Sequence, residues 1–196
     1  CENRLITNLK KIMHHFHTLI ATKVSKETND SIHISFDISE KLRHEFAFKQ
    51  GQYLTVKFDF NNEEYRRSYS IINAPAEGNN NLEILVKHLE DGVVSTYLNQ
   101  KLQVGDSIDV LAPMGHFYTS YHPTNAKTYV GLAAGSGISP VLSNLKEALY
   151  QEENSKAYLF FSNKSVVDII FKKEIDALVE KFNGRLKVVY LLSREK

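Results

Sequence analysis

Hydrophobic and polar positions alternate through the first part of the chain and predict short β-strands. In residues 31–38 every second position is isoleucine or phenylalanine, the period of two expected of a half-buried strand. Similar patterns predict further strands at Phe16–Val24, Gln52–Phe60, Tyr65–Ile72, Leu82–Lys87 and Ser107–Leu111. A polar turn is expected at Lys26–Asp30 and one brief helix at Val94–Gln100. Many short strands with a single short helix indicate an antiparallel Greek-key β-barrel.

The pattern changes after residue 125, where strand-like and helix-like segments alternate. The expected strands are Thr128–Ala133, Lys156–Phe161 and Leu186–Leu192, and the expected helices are Val141–Glu152 and Phe171–Phe182. This alternation predicts a parallel sheet of α/β type. We therefore expect an extension at 1–13, a barrel at 14–123 and a nucleotide-binding domain from 124 to 196. Such a sheet usually has two halves, so we expect its second half to lie outside this sequence.

Composition limits the classes of partner and cofactor. The 24 Lys+Arg nearly balance the 23 Asp+Glu, so neither nucleic acid nor an acidic membrane is an expected partner. No apolar run approaches the roughly 18 residues of a membrane span, and the first residues do not resemble a signal peptide. Cys1 is the only cysteine, which leaves too few thiolates for an iron–sulfur cluster and fits a cytoplasmic protein. His14, His15 and His17 lack a supporting metal-ligand motif, so no metal site is expected.

The first candidate constellation is the strand segment Arg66–Ser70. On a strand, Arg67 and Tyr69 share one face, and Ser68 and Ser70 share the other. Arginine can bind a phosphate with two hydrogen bonds, and tyrosine can lie flat on an aromatic ring, so the segment has the chemistry to hold a flavin. An ordinary barrel strand with a surface arginine explains the same residues.

The second constellation is Asp91–Thr96, directly before the short predicted helix. Gly92 permits close backbone approach, and a helix start presents free N–H groups to an anion. The alternative is a structural one, because Ser95 and Thr96 are ordinary N-cap residues.

The third constellation is the glycine-rich turn Gly131–Pro140, which follows a strand and opens a helix. That context is the one a dinucleotide site requires, and Pro140 suits a first helical turn. Because Pro140 stands where the G-x-G-x-x-G pattern has its third glycine, a purely structural strand–helix turn remains an alternative.

These three motifs, in this order, resemble the ferredoxin–NADP reductase superfamily. The flavin motif R-x-Y-S/T is matched by Arg67, Tyr69 and Ser70, and further matches are Gly51–Gln52–Tyr53 and Pro113–Met114–Gly115. Within the superfamily the chain is most similar to reductase components of the phenylacetyl-CoA epoxidase system. Flavohaemoglobin-type reductase modules, and a non-catalytic module that kept the fold, remain alternatives.

The resemblance implies a site for each of two cofactors, FAD and a reduced nicotinamide dinucleotide. In the flavin site it implies that Tyr69 stacks on the ring system, that Ser70 lies near the reactive nitrogen and that Arg67 neutralises a phosphate. The other implied flavin-site residues are Ser68, Val86, Lys87, Gly92, Val93, Val94 and Ser95. The nicotinamide pyrophosphate is expected over Gly135, Ser136, Gly137 and Pro140.

Cofactor preference and electron acceptor follow from the same resemblance. A Ser-Arg pair holds the 2′-phosphate in NADP-using relatives, so Ser193 and Arg194 favour NADPH over NADH. Arg194 as a solvated strand-end charge is the alternative. The implied activity is hydride transfer from NAD(P)H to FAD, with electrons then passing singly to an iron–sulfur centre and an oxygenase or other acceptor. We expect the [2Fe–2S] domain to lie outside this sequence.

Overall fold

The computed structural model describes residues 15–195, which form an antiparallel barrel followed by a parallel sheet flanked by helices. The strands are β1 (Phe16–Thr28), β2 (Ser31–Asp37), β3 (Tyr53–Phe60), β4 (Glu63–Ser70), β5 (Asn81–Lys87), β6 (Ser107–Leu111), β7 (Thr128–Ala134), β8 (Lys156–Asn163) and β9 (Leu186–Leu192). The α-helices are α1 (Val93–Gln100), α2 (Ile138–Gln151) and α3 (Lys172–Lys181). This combination confirms the predicted fold class.

The barrel is a six-stranded antiparallel sheet with the order β4-β3-β6-β1-β2-β5. Its core is formed by alternate aliphatic and aromatic residues of these strands, including Ile34, Phe36, Leu54 and Ile84, all fully buried. The two edge strands meet only beyond the end of β4, through the Ile71–Ile84 bridge. The seam between β4 and β5 is therefore closed at one end and leaves the rest of the β4 edge unpaired.

Strand β1 is longer than the sequence pattern predicts. The predicted turn Lys26–Asp30 was wrong in part, because β1 continues to Thr28 and pairs there with Ser31 of β2. The Thr28 and Ser31 hydroxyl oxygens lie 2.6 Å apart, which gives these polar residues a partner on the strand. Cross-strand pairing thus extends the strand through a segment whose composition is typical of a turn.

The second sheet is parallel, with the order β7-β8-β9, and α2 and α3 pack against it. Helix α2 begins at Ile138, three residues before the predicted start, because Pro140 is compatible with the first helical turn. Gly131 lets α2 approach β7 closely, since a Cβ there would lie 2.7 Å from Val141 Cγ1. The opposite face of the sheet is exposed at Val130 and Leu132.

The segment that joins the two sheets is held by the fully buried Glu152 at the C-terminal end of α2. Its carboxylate accepts hydrogen bonds from the His122 backbone and Asn125 amide (2.9 and 2.6 Å), and from the Tyr129 and Ser155 hydroxyls (2.8 and 2.6 Å). Burial opposes ionisation, but these donors lower the pKa of Glu152 to about 2.

Replacing Glu152 by glutamine is expected to destabilise the protein at pH 7 and to have less effect at low pH. The folded-state pKa of about 2 lies below the ordinary value of 4.5, so the carboxylate stabilises the fold above pH 4.5 and loses this effect as the pH falls towards 2. Urea unfolding at pH 7 and pH 3, followed by circular dichroism, measures the difference. Glu153→Gln, at an exposed neighbouring position, is the control. A Glu152→Gln deficit of the same size at both pH values would contradict this assignment.

Candidate functional site

The unpaired edge of β4 presents the first group of candidate residues. Arg67 and Tyr69 stand opposite Val56 and Leu54 of β3, whose side chains are fully buried in the barrel core. Residues that pair across strands point to the same face, so Arg67 and Tyr69 are on the inner face of the sheet. Arg67 is nevertheless exposed, because the seam beside β4 is open.

The guanidinium of Arg67 is free to bind an anion. Its Nη1 donates to the Arg66 carbonyl at 2.7 Å, and among residues 15–195 it forms no ion pair. The neighbouring Arg66, on the other face, pairs with Glu64 at 2.7 Å. An inward-facing arginine without a carboxylate is the arrangement expected of a phosphate ligand.

Tyr69 offers an aromatic surface beside this charge. The ring is half-buried against the barrel core, and burial raises the pKa of Tyr69 to about 12, although the positive charge of Arg67 opposes the shift. The phenol is therefore neutral at physiological pH and can donate a hydrogen bond. Ser68 and Ser70 alternate with these residues and lie on the other face of the strand. Ser70 is half-buried, and Ser68 shares a hydrogen bond with Thr55 at 2.9 Å.

The second group lies at the start of α1 and borders an open cavity of about 630 Å³. The amides of Val93, Val94 and Ser95 belong to the first turn of α1 and have no preceding helical carbonyl to bind. The side chains of Val94 and Ser95 are buried, so only their backbone groups are available. This turn can therefore bind an anion through amides, as a helix N-terminus does.

Gly92 and Ser95 fix the shape of this turn. The Ser95 hydroxyl donates to the Gly92 carbonyl at 3.1 Å and accepts from the Leu89 amide at 3.2 Å. A Cβ on Gly92 would lie 2.4 Å from Ser95 Oγ, so glycine is needed for this contact. The N-cap of α1 is Gly92 and no side chain caps the helix, so the capping role considered for Ser95 and Thr96 was wrong. The Ser95 hydroxyl instead joins the two sides of the turn and orders the amides next to it.

Val86 and Lys87 of β5 are positioned differently from the other candidates. The Val86 side chain is fully buried in the barrel core, and its carbonyl accepts from Asn99 at 3.2 Å. The Lys87 ammonium pairs with Asp30 at 2.8 Å. The Val86 side chain therefore has no route to a ligand, and the charge of Lys87 is already neutralised.

The glycine-rich turn forms the third group. Gly135–Gly137 is a single 3-10 turn between β7 and α2, and Gly135 has a φ of +49°. A Cβ on Gly135 or Gly137 would meet no atom within 4 Å, so the space above the turn is open. Ser136 is exposed, and Pro140 is in the first turn of α2. The turn has both the open space and the helix start that a pyrophosphate needs.

Ser193 and Arg194 follow β9 and lie at the carboxyl end of the parallel strands, where the glycine-rich turn also lies. Their amides donate to the carbonyls of Asn163 and Lys164 at 3.0 and 2.9 Å. Strand β8 separates them from Gly135, a distance of about 10 Å for two strand spacings. The Arg194 side chain is exposed and has no ion pair within the described residues.

The sequence interpretation missed some residues that surround these groups. Phe60 and Tyr97 border the cavity at α1, with ring centroids 5.2 Å apart. Ser143, Lys146 and Glu147 on α2 are buried although they are polar. Their helical spacing was visible in the sequence, but it does not reveal which neighbour they contact.

The histidine cluster is only partly described. His14 lies outside residues 15–195, while His17 bonds to Glu45 at 2.8 Å and its ring meets that of His15 edge-on at 5.0 Å. No group of three or more potential metal ligands occurs within the described part of the chain. Within the same part, no helix has the length and apolar character of a membrane span.

Two family comparisons match the two sheets in turn. Residues 18–118 match the oxidoreductase FAD-binding domain, and residues 132–196 match the oxidoreductase NAD-binding domain. The first match covers more than half of the chain.

Individual relatives agree with these matches. The chain is 33% identical over 180 residues to one of the subunits of the 1,2-phenylacetyl-CoA epoxidase of Escherichia coli, covering 92% of this chain and 50% of that protein. It is 34% identical over 175 residues to the ferredoxin reductase component of the 3-ketosteroid-9-alpha-monooxygenase of Rhodococcus rhodochrous, covering 89% and 48%. The chain thus spans about half the length of these relatives.

A solved structure shows the same arrangement. The ferredoxin NADP+ reductase from Neisseria gonorrhoeae, with bound FAD and NADP, superposes with a TM-score of 0.74 at 25% identity. The match covers 93% of this chain and 70% of that one.

Proposed function

Because the chain belongs to the oxidoreductases with an FAD-binding and an NAD-binding domain, the ferredoxin–NADP reductase superfamily, we propose that it transfers reducing equivalents from NADPH to FAD. The observation that carries the proposal is the exposed, unpaired Arg67 beside Tyr69 on the inner face of an open barrel edge. Within residues 15–195 this inward-facing arginine has no carboxylate partner, so its charge is available to an anionic group of a ligand.

The barrel residues fit both the diphosphate and the aromatic ring system of a flavin dinucleotide. Arg67 supplies a positive charge, and the free amides of Val93, Val94 and Ser95 supply donors for a diphosphate. Tyr69 supplies a neutral aromatic face, since burial raises the pKa of its phenol to about 12. Ser70 supplies a half-buried hydroxyl at the next position of the strand. The protein would thus orient and electrostatically tune the cofactor.

The residues of the second domain fit a nicotinamide dinucleotide. The open glycine-rich turn at Gly135–Gly137 leaves space for a pyrophosphate at the start of α2. The guanidinium of Arg194, about 10 Å away at the same end of the sheet, supplies a planar positive charge with several hydrogen-bond donors. We propose that Ser193 and Arg194 bind the 2′-phosphate and favour NADPH.

When bound, the flavin supplies the two-electron chemistry that lets a hydride donor serve a one-electron acceptor. We propose that the whole protein delivers electrons through an iron–sulfur centre to an oxygenase, in the degradation of phenylacetate or a related aromatic acid. The support is the similarity to the phenylacetyl-CoA epoxidase component of Escherichia coli and to the monooxygenase reductase component of Rhodococcus rhodochrous.

The first test is the flavin content of the purified full-length protein. We expect a yellow protein whose flavin absorbance is bleached by NADPH under anaerobic conditions. A colourless protein that takes up no FAD, or a flavin that neither NADPH nor NADH bleaches, would refute the proposed function and favour a non-catalytic module.

A matched pair of arginine substitutions tests the flavin site. Arg67→Ala is expected to weaken FAD binding about 10- to 100-fold, the effect of losing charge-assisted hydrogen bonds worth about 1.5–3 kcal/mol. Arg66→Ala is the control, because the adjacent Arg66 already pairs with Glu64 on the other face. Isothermal titration of the apoprotein with FAD measures both variants. Equal losses would show that a nonspecific change of charge, rather than a phosphate contact, is responsible.

Arg194→Ala tests the preference for NADPH. The substitution is expected to raise the KM for NADPH at least tenfold and to leave the KM for NADH nearly unchanged, because only NADPH carries the 2′-phosphate. Steady-state reduction of an artificial acceptor by each nucleotide gives both constants. A proportional rise in both would refute the role of Arg194.

A further inference from the structure

Helix α2 has two buried faces of different character. One is apolar and packs on the parallel sheet through Ile138, Leu142, Leu145 and Leu149, in a core that also includes Ile72 and Leu85 of the barrel. The other is polar and faces the barrel, through Ser143, Lys146 and Glu147, whose exposed fractions are 0%, 2% and 3%. We call these three residues the polar stripe. Their spacing of three and four positions places them on one side of the helix.

Ser143 joins both ends of the barrel hairpin that carries the flavin-site candidates. Its hydroxyl donates to the Asn73 carbonyl at 2.8 Å and accepts from the Gly51 amide at 3.2 Å. Gly51 precedes β3, and Asn73 follows β4 by three residues. The ends of the hairpin are themselves linked, since the Ile71 amide donates to the Gln52 carbonyl at 2.8 Å. One hydroxyl of the second domain therefore bonds to both ends.

The barrel backbone approaches α2 closely at this point. Gly51 has a φ of +77°, and a Cβ there would lie 2.0 Å from the Phe117 carbonyl oxygen and 2.5 Å from Asn144 Nδ2. Asn144 itself donates to the same Phe117 carbonyl at 2.9 Å. A side chain at position 51 would clash with the Phe117 carbonyl and with the Asn144 amide, so this close approach of the hairpin to α2 requires glycine.

The rest of the polar stripe repeats this connection one turn further along α2. The Glu147 carboxylate accepts from the Ala76 amide at 2.8 Å. Lys146 lies between Glu77 of the barrel, at 3.4 Å, and Glu174 of α3, at 2.5 Å. Burial opposes the charge of Lys146, but these two carboxylates raise its pKa, so the ammonium stays protonated.

A polar interface of this kind specifies one register. Sliding of α2 along the barrel would leave buried donors and acceptors without partners, which is unfavourable, whereas an apolar interface tolerates small shifts. Domain interfaces within a chain otherwise permit relative motion. The polar stripe therefore holds the two domains in a fixed relative position.

We propose that Ser143, supported by Lys146 and Glu147, is a positioning residue that sets the distance between the nicotinamide and flavin rings. This inference rests on the proposed function. Ser143 is five residues from the start of α2, about 7.5 Å along the helix axis, and Asn73 is about 10 Å of extended chain from Ser70. Ser143 touches neither cofactor site and acts through Asn73 and Gly51.

The test replaces Ser143 by alanine in the full-length protein and uses two measurements. The first is hydrogen–deuterium exchange of the segment around Gly51 in the cofactor-free protein, which we expect to become faster. The second is the rate of flavin reduction by saturating NADPH in rapid mixing, which we expect to fall about 10- to 100-fold, the effect of misplacing reacting groups by about 1 Å. FAD affinity is expected to remain within twofold.

Ser155→Ala is the matched control, because Ser155 is also fully buried and hydrogen-bonded but contacts only the second domain and its linker. We expect it to change neither exchange at Gly51 nor the reduction rate. If Ser143→Ala does not fold, Glu147→Ala replaces it, with exchange measured around Ala76.

The outcomes separate this inference from the proposed function. An unreduced flavin in the unsubstituted protein would overturn both. Normal reduction in the unsubstituted protein, with an unchanged rate in Ser143→Ala or an equal loss in Ser155→Ala, would overturn the positioning role alone.

Discussion

Helix α2 is buried on two sides at once, and this constraint organises the whole molecule. Its apolar face must cover the parallel sheet, where Gly131 permits close packing, while its polar stripe must bond to the barrel. A movement of α2 that changed one of these two sets of contacts would therefore break the other. Because the glycine-rich turn leads directly into α2, the same docking also fixes where Gly135–Gly137 lies relative to the barrel hairpin.

The candidate sites occur where the fold leaves polar groups without internal partners. Arg67 is exposed on an inner face because β4 is an edge strand, and the amides that start α1 are free because every helix start leaves them so. The space above Gly135 is also open, because glycine adds no side chain there. The groups available to bind a ligand are therefore the unpaired polar groups at strand edges and helix ends, because regular secondary structure gives them no partner.

The sequence predicted the fold class and most elements because these depend on local patterns. Alternation identified β2 and β3, and strand–helix alternation identified the parallel sheet. The end of β1 was missed, since the polar composition of this segment is typical of a turn and the pairing of Thr28 with Ser31 of β2 extends the strand. The start of α2 was placed too late, since the helix was predicted from the apolar spacing that begins at Val141, and the first three helical residues precede it. The polar stripe could not be interpreted, because its partners Gly51, Asn73 and Ala76 are about 70 to 90 residues away in sequence.

The central claim is that the fold holds a nicotinamide ring against one face of a flavin for direct hydride transfer. Its most direct test is NADPH carrying deuterium on one or the other face of the nicotinamide C4, followed by mass spectrometry of the oxidised nucleotide. The account predicts that the full-length protein removes deuterium from one face only and retains it on the other. Loss from both faces, or retention on both while the flavin is reduced, would contradict it.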